Sequence, residues 1–200
     1  NWVPTYPNAW QTARFSTDDW LIDLDLGLFD PYPGGAFPGD SVLWMVPDFA
    51  SGRLPAGSLA DADYLVNGKV IPYEAQPSFG EWRRRGLMLA DDTKQGFVTD
   101  PLGVAHMAES ELITNTLLPL ELEPRKLFLV RYPYGSGSEK PAANRDVKAA
   151  VNEGMLFWNY IGHGNPFKMA DENAFILSDV GALTNVKTPT FLIAASCDLG

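Results

Sequence analysis

Two stretches decide the fold: residues 155–164, MLFWNYIGHG, and residues 190–198, TFLIAASCD. Each is an apolar run of strand length that ends at a reactive side chain. The first ends at His163, which stands between two glycines, and the second ends at Cys197, the single cysteine of the chain. A helix-sized segment, 177–185, separates them. Strand–crossover–strand units pair in parallel, so both runs are predicted to bring their last residues to one edge of a sheet, where α/β folds place ligand sites.

The chain upstream repeats this pattern. Predicted strands at 86–90 and 126–130 alternate with a helix that begins near His106 and another over 143–152, and a short helix capped by Ser178 precedes the last strand. The order β-α-β-α-β-α-β predicts an α/β fold, a three-layer α-β-α sandwich with a mostly parallel sheet. An earlier helix is predicted from Ser58 to Pro72 or just before it.

The domain organisation is predicted from a linker-like segment at 76–80. Residues 1–80 are expected to be the C-terminal part of a preceding α/β subdomain. Residues 81–200 are expected to be the N-terminal part of the subdomain that contains His163 and Cys197. Because the chain starts at Asn1 and stops one turn after Cys197, we expect an internal piece of a longer protein, incomplete at both ends.

Composition excludes several classes of function. The formal net charge of −10 argues against nucleic acid and against an anionic membrane surface as partners. No apolar stretch approaches the roughly 20 residues of a membrane-spanning helix, so no membrane insertion is expected. With one cysteine the chain cannot form an internal disulfide. The 46% hydrophobic content is that of a globular protein.

An acidic segment near the N-terminus is a candidate for structural calcium. Asp18, Asp19, Asp23 and Asp25 lie close together in a region rich in turns. Their spacing does not match a twelve-residue calcium loop. A solvated acidic loop is therefore the alternative to a calcium site.

His163 and Cys197 together suggest nucleophilic catalysis. A thiolate is the nucleophile, and a nearby imidazole generates it and later protonates the leaving group. Gly162 and Gly164 allow a sharp turn and close approach of a substrate, and the amides of Gly164 and Cys197 are candidate donors to an oxyanion. Each residue alone is more often structural, but their matching positions favour a pair. A metal hydrolase using His106, His163 and the Asp91–Asp92 pair is a weaker alternative, since these residues show no known ligand spacing.

The residues that end the first strand also carry a family resemblance. Residues 159–164, NYIGHG, together with the apolar strand before Cys197, resemble the gingipain family in the caspase-like clan of cysteine peptidases. Residues 52–55, 85–92 and 183–185 fit the same family pattern. The resemblance covers most of residues 48–200 and implies a caspase-like fold.

The resemblance implies roles for individual residues. Cys197 matches the family's nucleophile and His163 its catalytic histidine. The family also has an acidic residue at the end of the first strand that orients the histidine. This position falls on Asp92, with Asp91 as the alternative, or on Thr93 if the register differs.

The resemblance also bears on specificity. Arginine-specific gingipains have an acidic residue shortly before the helix that follows the first strand. The corresponding place here is near Gly103, with Asp100 close by, so strict arginine specificity is not expected. His106 falls on a helix-start histidine that we interpret as structural. Asn165 follows His163 closely and is a candidate for the substrate cleft or for a turn.

These observations predict a cysteine endopeptidase that acts on proteins or peptides and requires no cofactor. By resemblance, the protein is expected to be secreted by a bacterium or displayed on its surface. The alternative is a non-catalytic surface or secretion-associated module that retains the fold. The presence of both Cys197 and His163 favours the enzyme.

Overall fold

The computed structural model describes residues 6–10, 13–17, 54, 56–95, 98–197 and 199. The chain divides into two compact units, Asn1–Lys69 and Val70–Gly200. The predicted boundary near residue 80 stays a prediction, and the acidic residues 18, 19, 23 and 25 lie outside the described residues. Within the described part, no helix combines the length and apolar character needed to cross a membrane.

The first unit contains a hairpin and a helix. Strands β1 (Tyr6–Trp10) and β2 (Ala13–Thr17) pair antiparallel. Helix α1 (Leu59–Leu65) begins where the sequence predicts, because the Ser58 hydroxyl accepts the backbone N–H of Asp61 at 3.1 Å.

A second short helix lies where the sequence predicts a stop. A π-helical turn, Val66–Val70, follows α1 and leads into α2 (Ile71–Ala75). Pro72 was expected at or beyond a helix end, and this is wrong, because Pro72 lies in the first turn of α2. A proline is tolerated there since the N–H it lacks would have no partner within the helix.

The second unit is built on a four-stranded parallel sheet. Across the sheet its strands are β11 (Phe191–Ala195), β7 (Phe157–Ile161), β3 (Arg85–Ala90) and β6 (Glu123–Phe128), so each crossover carries the chain between parallel strands, as predicted. From residue 85 onward, the α-helices and strands of this unit are, in chain order, β3 (Arg85–Ala90), β4 (Lys94–Gln95), β5 (Val98–Thr99), α3 (Gly103–Thr116), β6 (Glu123–Phe128), α4 (Pro141–Glu153), β7 (Phe157–Ile161), β8 (Gly164–Asn165), β9 (Lys168–Met169), β10 (Phe175–Ile176) and β11 (Phe191–Ala195).

Helices cover both faces of this sheet. On one face, Leu87 and Leu89 of β3 pack in a buried cluster with Val147 and Val151 of α4. On the other face, Met88 packs with residues of α3 in a smaller cluster. Side chains alternate between the faces of a strand, so β3 contributes to both clusters. The α/β three-layer fold predicted from the sequence is confirmed.

The details of three segments differ from the prediction. Helix α3 begins at Gly103 rather than near His106, and the second strand ends at Phe128 rather than at residue 130. The segment before β11 is a short 3₁₀ helix, Leu177–Ala182. Its start is capped by Asp179 rather than Ser178, because the Asp179 carboxylate accepts the N–H of Ile176 at 3.0 Å. Lys148 also holds Asp179, at 2.7 Å.

The register of the sheet sets the positions of the strand ends. Ile161 at the end of β7 pairs with Ala195 at the end of β11 and with Ala90 at the end of β3. The ladder extends beyond the strands, since the N–H of Gly162 donates to the Ala195 carbonyl at 3.3 Å and the N–H of Asp91 donates to the Ile161 carbonyl at 3.0 Å. Three neighbouring strands therefore end at the same level of one sheet edge.

Candidate active site

The backbone of His163 is held by three hydrogen bonds just past the end of β7. Its N–H donates to Asp91 Oδ2 at 3.0 Å. Its carbonyl accepts the Tyr160 hydroxyl and the N–H of Ala170, the latter at 2.9 Å. Burial raises the pKa of Tyr160, which keeps this hydroxyl protonated as a donor. These hydrogen bonds fix the main chain of the histidine independently of any contact of its ring.

The imidazole of His163 contacts Asp100. Its Nε2 lies 3.0 Å from Asp100 Oδ2, and the two side chains are 29% and 5% exposed. A carboxylate only accepts hydrogen bonds, so Nε2 carries the hydrogen when Asp100 is ionised. The tautomer assigned in this way leaves Nδ1 with a free lone pair.

The turn before α3 places Asp100 at this position. Its N–H donates to the Thr93 carbonyl at 2.8 Å, and its Oδ1 accepts the N–H of Leu102 at 2.9 Å. Burial acts to raise the pKa of Asp100, but the hydrogen bonds from Leu102 and His163 outweigh it and hold the pKa below its usual value. Asp100 is therefore ionised over the neutral range.

Gly103 explains why the helix can start so close to the end of β3. A Cβ at this position would lie 1.9 Å from the Asp92 carbonyl oxygen, so only glycine fits. The acidic side chain near this place is Asp100, which is engaged by His163.

His106 lies beside the same carboxylate. The rings of His106 and His163 meet edge to face with centroids 5.2 Å apart, and His106 Nδ1 is 4.0 Å from Asp100 Oδ2. Burial and the neighbouring His163 lower the pKa of His106, more than Asp100 raises it, which favours the neutral ring. Donor atoms of Asp100, His106 and His163 lie within 4.8 Å of one another, close enough to hold a metal ion. The carboxylate beside the two histidines is Asp100, not a member of the Asp91–Asp92 pair that the sequence offered for a metal site.

Cys197 lies two residues beyond the end of β11 and is exposed. Gly162 and Gly164, at the end of the neighbouring strand β7, have no room for a side chain. A Cβ on Gly164 would meet Ser196 Oγ at 2.5 Å, and a Cβ on Gly162 would meet Asp91 Cβ at 2.4 Å. Neither glycine has a positive φ. Both therefore serve close packing of the end of β7 on its neighbours, on β3 for Gly162 and on β11 for Gly164, rather than an unusual backbone conformation.

The two predicted orienting carboxylates make other contacts. Asp92 forms a buried ion pair with Lys140, and its Oδ1 accepts the N–H of Lys94 at 2.6 Å. Asp91 binds the backbone of His163 rather than its ring. Burial raises the pKa of Asp91 to about 6, although N–H groups of Asp92 and His163 act in the opposite direction. Among the described residues, the carboxylate on the imidazole is Asp100.

Next to the site lies a buried carboxyl cluster, consisting of Asp91, Asp92 and Glu172, beside the ammonium of Lys140. The exposed fractions of these four residues are 1%, 3%, 0% and 2%. Lys140 Nζ also donates to the Leu129 carbonyl at 2.7 Å. Burial, followed by the charge of Asp91, raises the pKa of Glu172 to about 7. Glu172 therefore carries its proton over much of the acidic range.

Asn165 takes the turn role of the two that the sequence left open. Its Oδ1 accepts the N–H of Phe167 at 2.9 Å, which closes the turn between β8 and β9. Phe167 itself is 68% exposed. A part for Asn165 in substrate binding stays a prediction.

Sequence reasoning did not place Asp100 on the His163 ring, and it did not identify Glu172 as part of the site. Asp100 stands directly before a proline and a helix start, and its link to Leu102 is a local signal that could have been recognised. Glu172 lies in a run of polar residues, 171–173, that is typical of an exposed loop. No local signal predicts that its side chain is buried.

Comparison with known proteins places the chain in a family. Residues 1–200 match the family described as Peptidase family C25. A search of curated proteins returned no match. The activity of this family is that of cysteine peptidases, which act on proteins or peptides, and its gingipain-type members are generally extracellular or surface-associated. The matched region covers the whole sequence, and the chain therefore belongs to the gingipain family of cysteine peptidases, in the caspase-like clan.

Proposed function

We propose that this protein is a cysteine endopeptidase in which Cys197 is the nucleophile, His163 the general base and acid, and Asp100 the residue that orients His163. The observation that carries this proposal is the contact between His163 Nε2 and Asp100 Oδ2 at 3.0 Å, at the strand end next to Cys197. Asp100 takes the role that the sequence suggested for Asp92 or Asp91.

The sheet register supports the pairing of Cys197 with His163. Ile161 and Ala195 are paired in the sheet, and His163 and Cys197 each follow one of them by two positions. Neighbouring strands lie about 4.8 Å apart, which brings side chains at matched positions into reach of each other. Cys197 is exposed, and His163 is 29% exposed, so a substrate could reach both.

The Asp100 contact supports different roles for the two ring nitrogens of His163. With its hydrogen held on Nε2, the imidazole has Nδ1 available to take the thiol proton. The thiolate then attacks the scissile carbonyl carbon, and Nδ1–H returns the proton to the departing amine. Water activated by Nδ1 hydrolyses the acyl-enzyme and releases Cys197. The negative charge of Asp100 stabilises the imidazolium in both steps.

The amides of Gly164 and Cys197 are the proposed donors to the tetrahedral oxyanion. Gly164 fits this role because its backbone approaches Ser196, the residue before the nucleophile, with no room for a side chain. Gly162 supports the arrangement because the absence of a side chain lets the end of β7 pack directly against Asp91.

The remaining parts of the proposal follow from the chemistry and the family. The reaction uses the chain's own side chains, so no cofactor is required, and calcium, if bound, is structural. Substrates are proteins or peptides, and the location is outside a bacterial cell or on its surface. The non-catalytic module is the less favoured function, since Cys197, His163 and a carboxylate partner are all present.

The experiment is cleavage of a mixed-sequence peptide library by the full chain beside its Cys197→Ala and His163→Ala variants. We expect cleavage by the native protein that falls by at least about 10³-fold in both variants. Ser196→Ala is a matched control, because it alters the neighbour of the nucleophile and leaves the thiol in place.

Two results would count against the proposal. Cleavage that survives Cys197→Ala would exclude the thiol as nucleophile. No cleavage by the native protein, including after limited proteolysis to activate it, would favour the non-catalytic module.

A further inference from the structure

Asp100, His106 and His163 form a cluster that the peptidase reaction uses only in part. The proposed reaction needs His163 and Asp100, while His106 has no role in it. His106 Nδ1 is nevertheless buried with no hydrogen-bond partner among the described residues. A buried nitrogen that lacks a partner carries a free-energy penalty, which calls for an explanation.

The spacing of the three side chains fits a small cation. Asp100 Oδ2 lies 3.0 Å from His163 Nε2 and 4.0 Å from His106 Nδ1. In a tetrahedral zinc site with ligand distances of about 2.0 Å, neighbouring donor atoms stand about 3.3 Å apart. The largest separation here is below 4.8 Å, so side-chain rotations that move donors by roughly 1 Å would close the site.

We propose that Asp100, His106 and His163 form a binding site for a zinc-type divalent ion, and that occupation of this site switches the peptidase off. The first half concerns the metal alone, and the second half rests on the proposed function. Two imidazoles and one carboxylate, with a water as fourth ligand, are a donor set that suits Zn²⁺ and disfavours Ca²⁺ and Mg²⁺, which prefer oxygen ligands.

The switch follows from the two nitrogens of His163. When Asp100 holds the hydrogen on Nε2, Nδ1 is the base. A metal bound at Nε2 requires the lone pair of that nitrogen, so the neutral ring must carry its hydrogen on Nδ1. Nδ1 then donates rather than accepts and cannot take the thiol proton from Cys197. Metal binding therefore inhibits by reversing the tautomer, without any bond to the cysteine.

The three side chains differ in exposure, and His163 is the most exposed of them. His163 is 29% exposed, whereas His106 and Asp100 are 14% and 5% exposed. The chain contains two histidines in total, so loss of His106 halves the imidazole ligands available to a metal. Because His106 lies outside the proposed reaction, a change at this residue separates metal binding from catalysis.

The binding test is titration calorimetry with Zn²⁺ on the full chain and its Cys197→Ala variant, together with Co²⁺ absorption as a spectroscopic check. We expect one ion per chain with equal affinity in both proteins, and a weakening of at least tenfold in His106→Phe, which keeps an aromatic ring against His163. Glu109→Gln is the matched control, since it removes a charge next to His106 without removing a ligand, and should bind as the native protein does. Asp100→Asn gives a second loss of binding if His106→Phe fails to fold.

The activity test is peptide cleavage as a function of free Zn²⁺. We expect native cleavage to fall as Zn²⁺ rises and to recover with a zinc-selective chelator, while His106→Phe keeps its basal rate and needs at least tenfold more Zn²⁺ for half inhibition. Zn²⁺ binding without any peptidase activity would support the metal site and refute the proposed function.

Three results would overturn the proposal, the first two at the metal site and the last at its inhibitory role. One is no binding of Zn²⁺ at millimolar concentration. Another is binding that is lost in Cys197→Ala but unchanged in His106→Phe, because the ion would then sit on the thiol. The last is zinc inhibition of equal strength in the native protein and His106→Phe.

Discussion

Replacing Glu172 by Gln should make the protein more stable at neutral pH and leave its stability in acid nearly unchanged. Glu172 is fully buried in the carboxyl cluster with Asp91 and Asp92, beside Lys140. The Tyr134 hydroxyl is 3.4 Å from Glu172 Oε1, and glutamine has an acceptor at the same place. The substitution removes the ionisable group with little change of shape.

The magnitude follows from the pKa of Glu172, which burial raises from 4.5 to about 7 in the folded protein. The folded protein thus holds the proton longer than the unfolded chain. The stabilising effect of this proton on the free energy of unfolding is complete below about pH 4.5 and is lost as the pH rises toward 7. At about 1.4 kcal/mol per pKa unit, the loss amounts to about 3 kcal/mol.

The assay is urea unfolding of the native chain and Glu172→Gln at pH values from 4 to 8. We expect the two free energies of unfolding to agree within about 1 kcal/mol at pH 4. Above pH 7 the variant should be more stable by about 3 kcal/mol, with the gap opening between pH 4.5 and 7. Asp171→Asn is the control, because it makes the same kind of replacement at the neighbouring carboxylate, which is 37% exposed and lies outside the buried cluster.

A difference between native and variant that does not change with pH would refute this reasoning. It would mean that Glu172 ionises in the folded protein as easily as in the unfolded chain, so that burial in the cluster does not raise its pKa.

Three further predictions concern the site and its support. Asp100→Asn should lower kcat by about 10²–10⁴-fold with little change in melting temperature, because an amide would favour the wrong tautomer of the histidine; steady-state kinetics and thermal unfolding measure this. Gly103→Ala should destabilise the fold by about 2–3 kcal/mol, since its Cβ would meet the Asp92 carbonyl, whereas Gly181→Ala, with nothing within 4 Å of its Cβ, should stay within about 0.5 kcal/mol in urea unfolding. Lys140→Met should cost about 3–5 kcal/mol at pH 7, because it leaves the Asp92 carboxylate buried without a cation.

Each of these has a result that would contradict it. Full activity in Asp100→Asn would show that the carboxylate does not orient the histidine. Equal stability of the two Gly→Ala variants would show that the helix start has room to move. A double variant, Lys140→Met with Asp92→Asn, should recover part of the loss, and no recovery would mean that the ion pair is not the cause.

The strand ends were predictable because each depends on local sequence. Apolar runs before His163 and Cys197 are long enough for buried strands, and the segment between them is long enough for one crossover. The matched register of Ile161 and Ala195 confirms that both strands end together. The family membership was also predictable, since the string at 159–164 is specific.

The partner of the histidine was not predictable in the same way. The sequence pointed to the acidic pair directly after β3. In the structure, however, Asp92 forms an ion pair with Lys140, and Asp91 accepts a hydrogen bond from the backbone N–H of His163. A loop that returns through β5 brings Asp100 to the ring instead. Such a choice depends on distances between residues far apart in the chain, which spacing along the chain does not encode.

By itself the sequence determined the parallel order of strands, the two helix-covered faces and the reactive residues at one sheet edge. Hydrophobic periodicity and chain connectivity are local properties, so a single sequence is enough to read them. Only the tertiary structure decided which carboxylate contacts His163, that Glu172 is buried, and that His106 joins Asp100 in one cluster. Those outcomes depend on contacts between segments that are far apart in the chain, and such packing is a property of the whole fold.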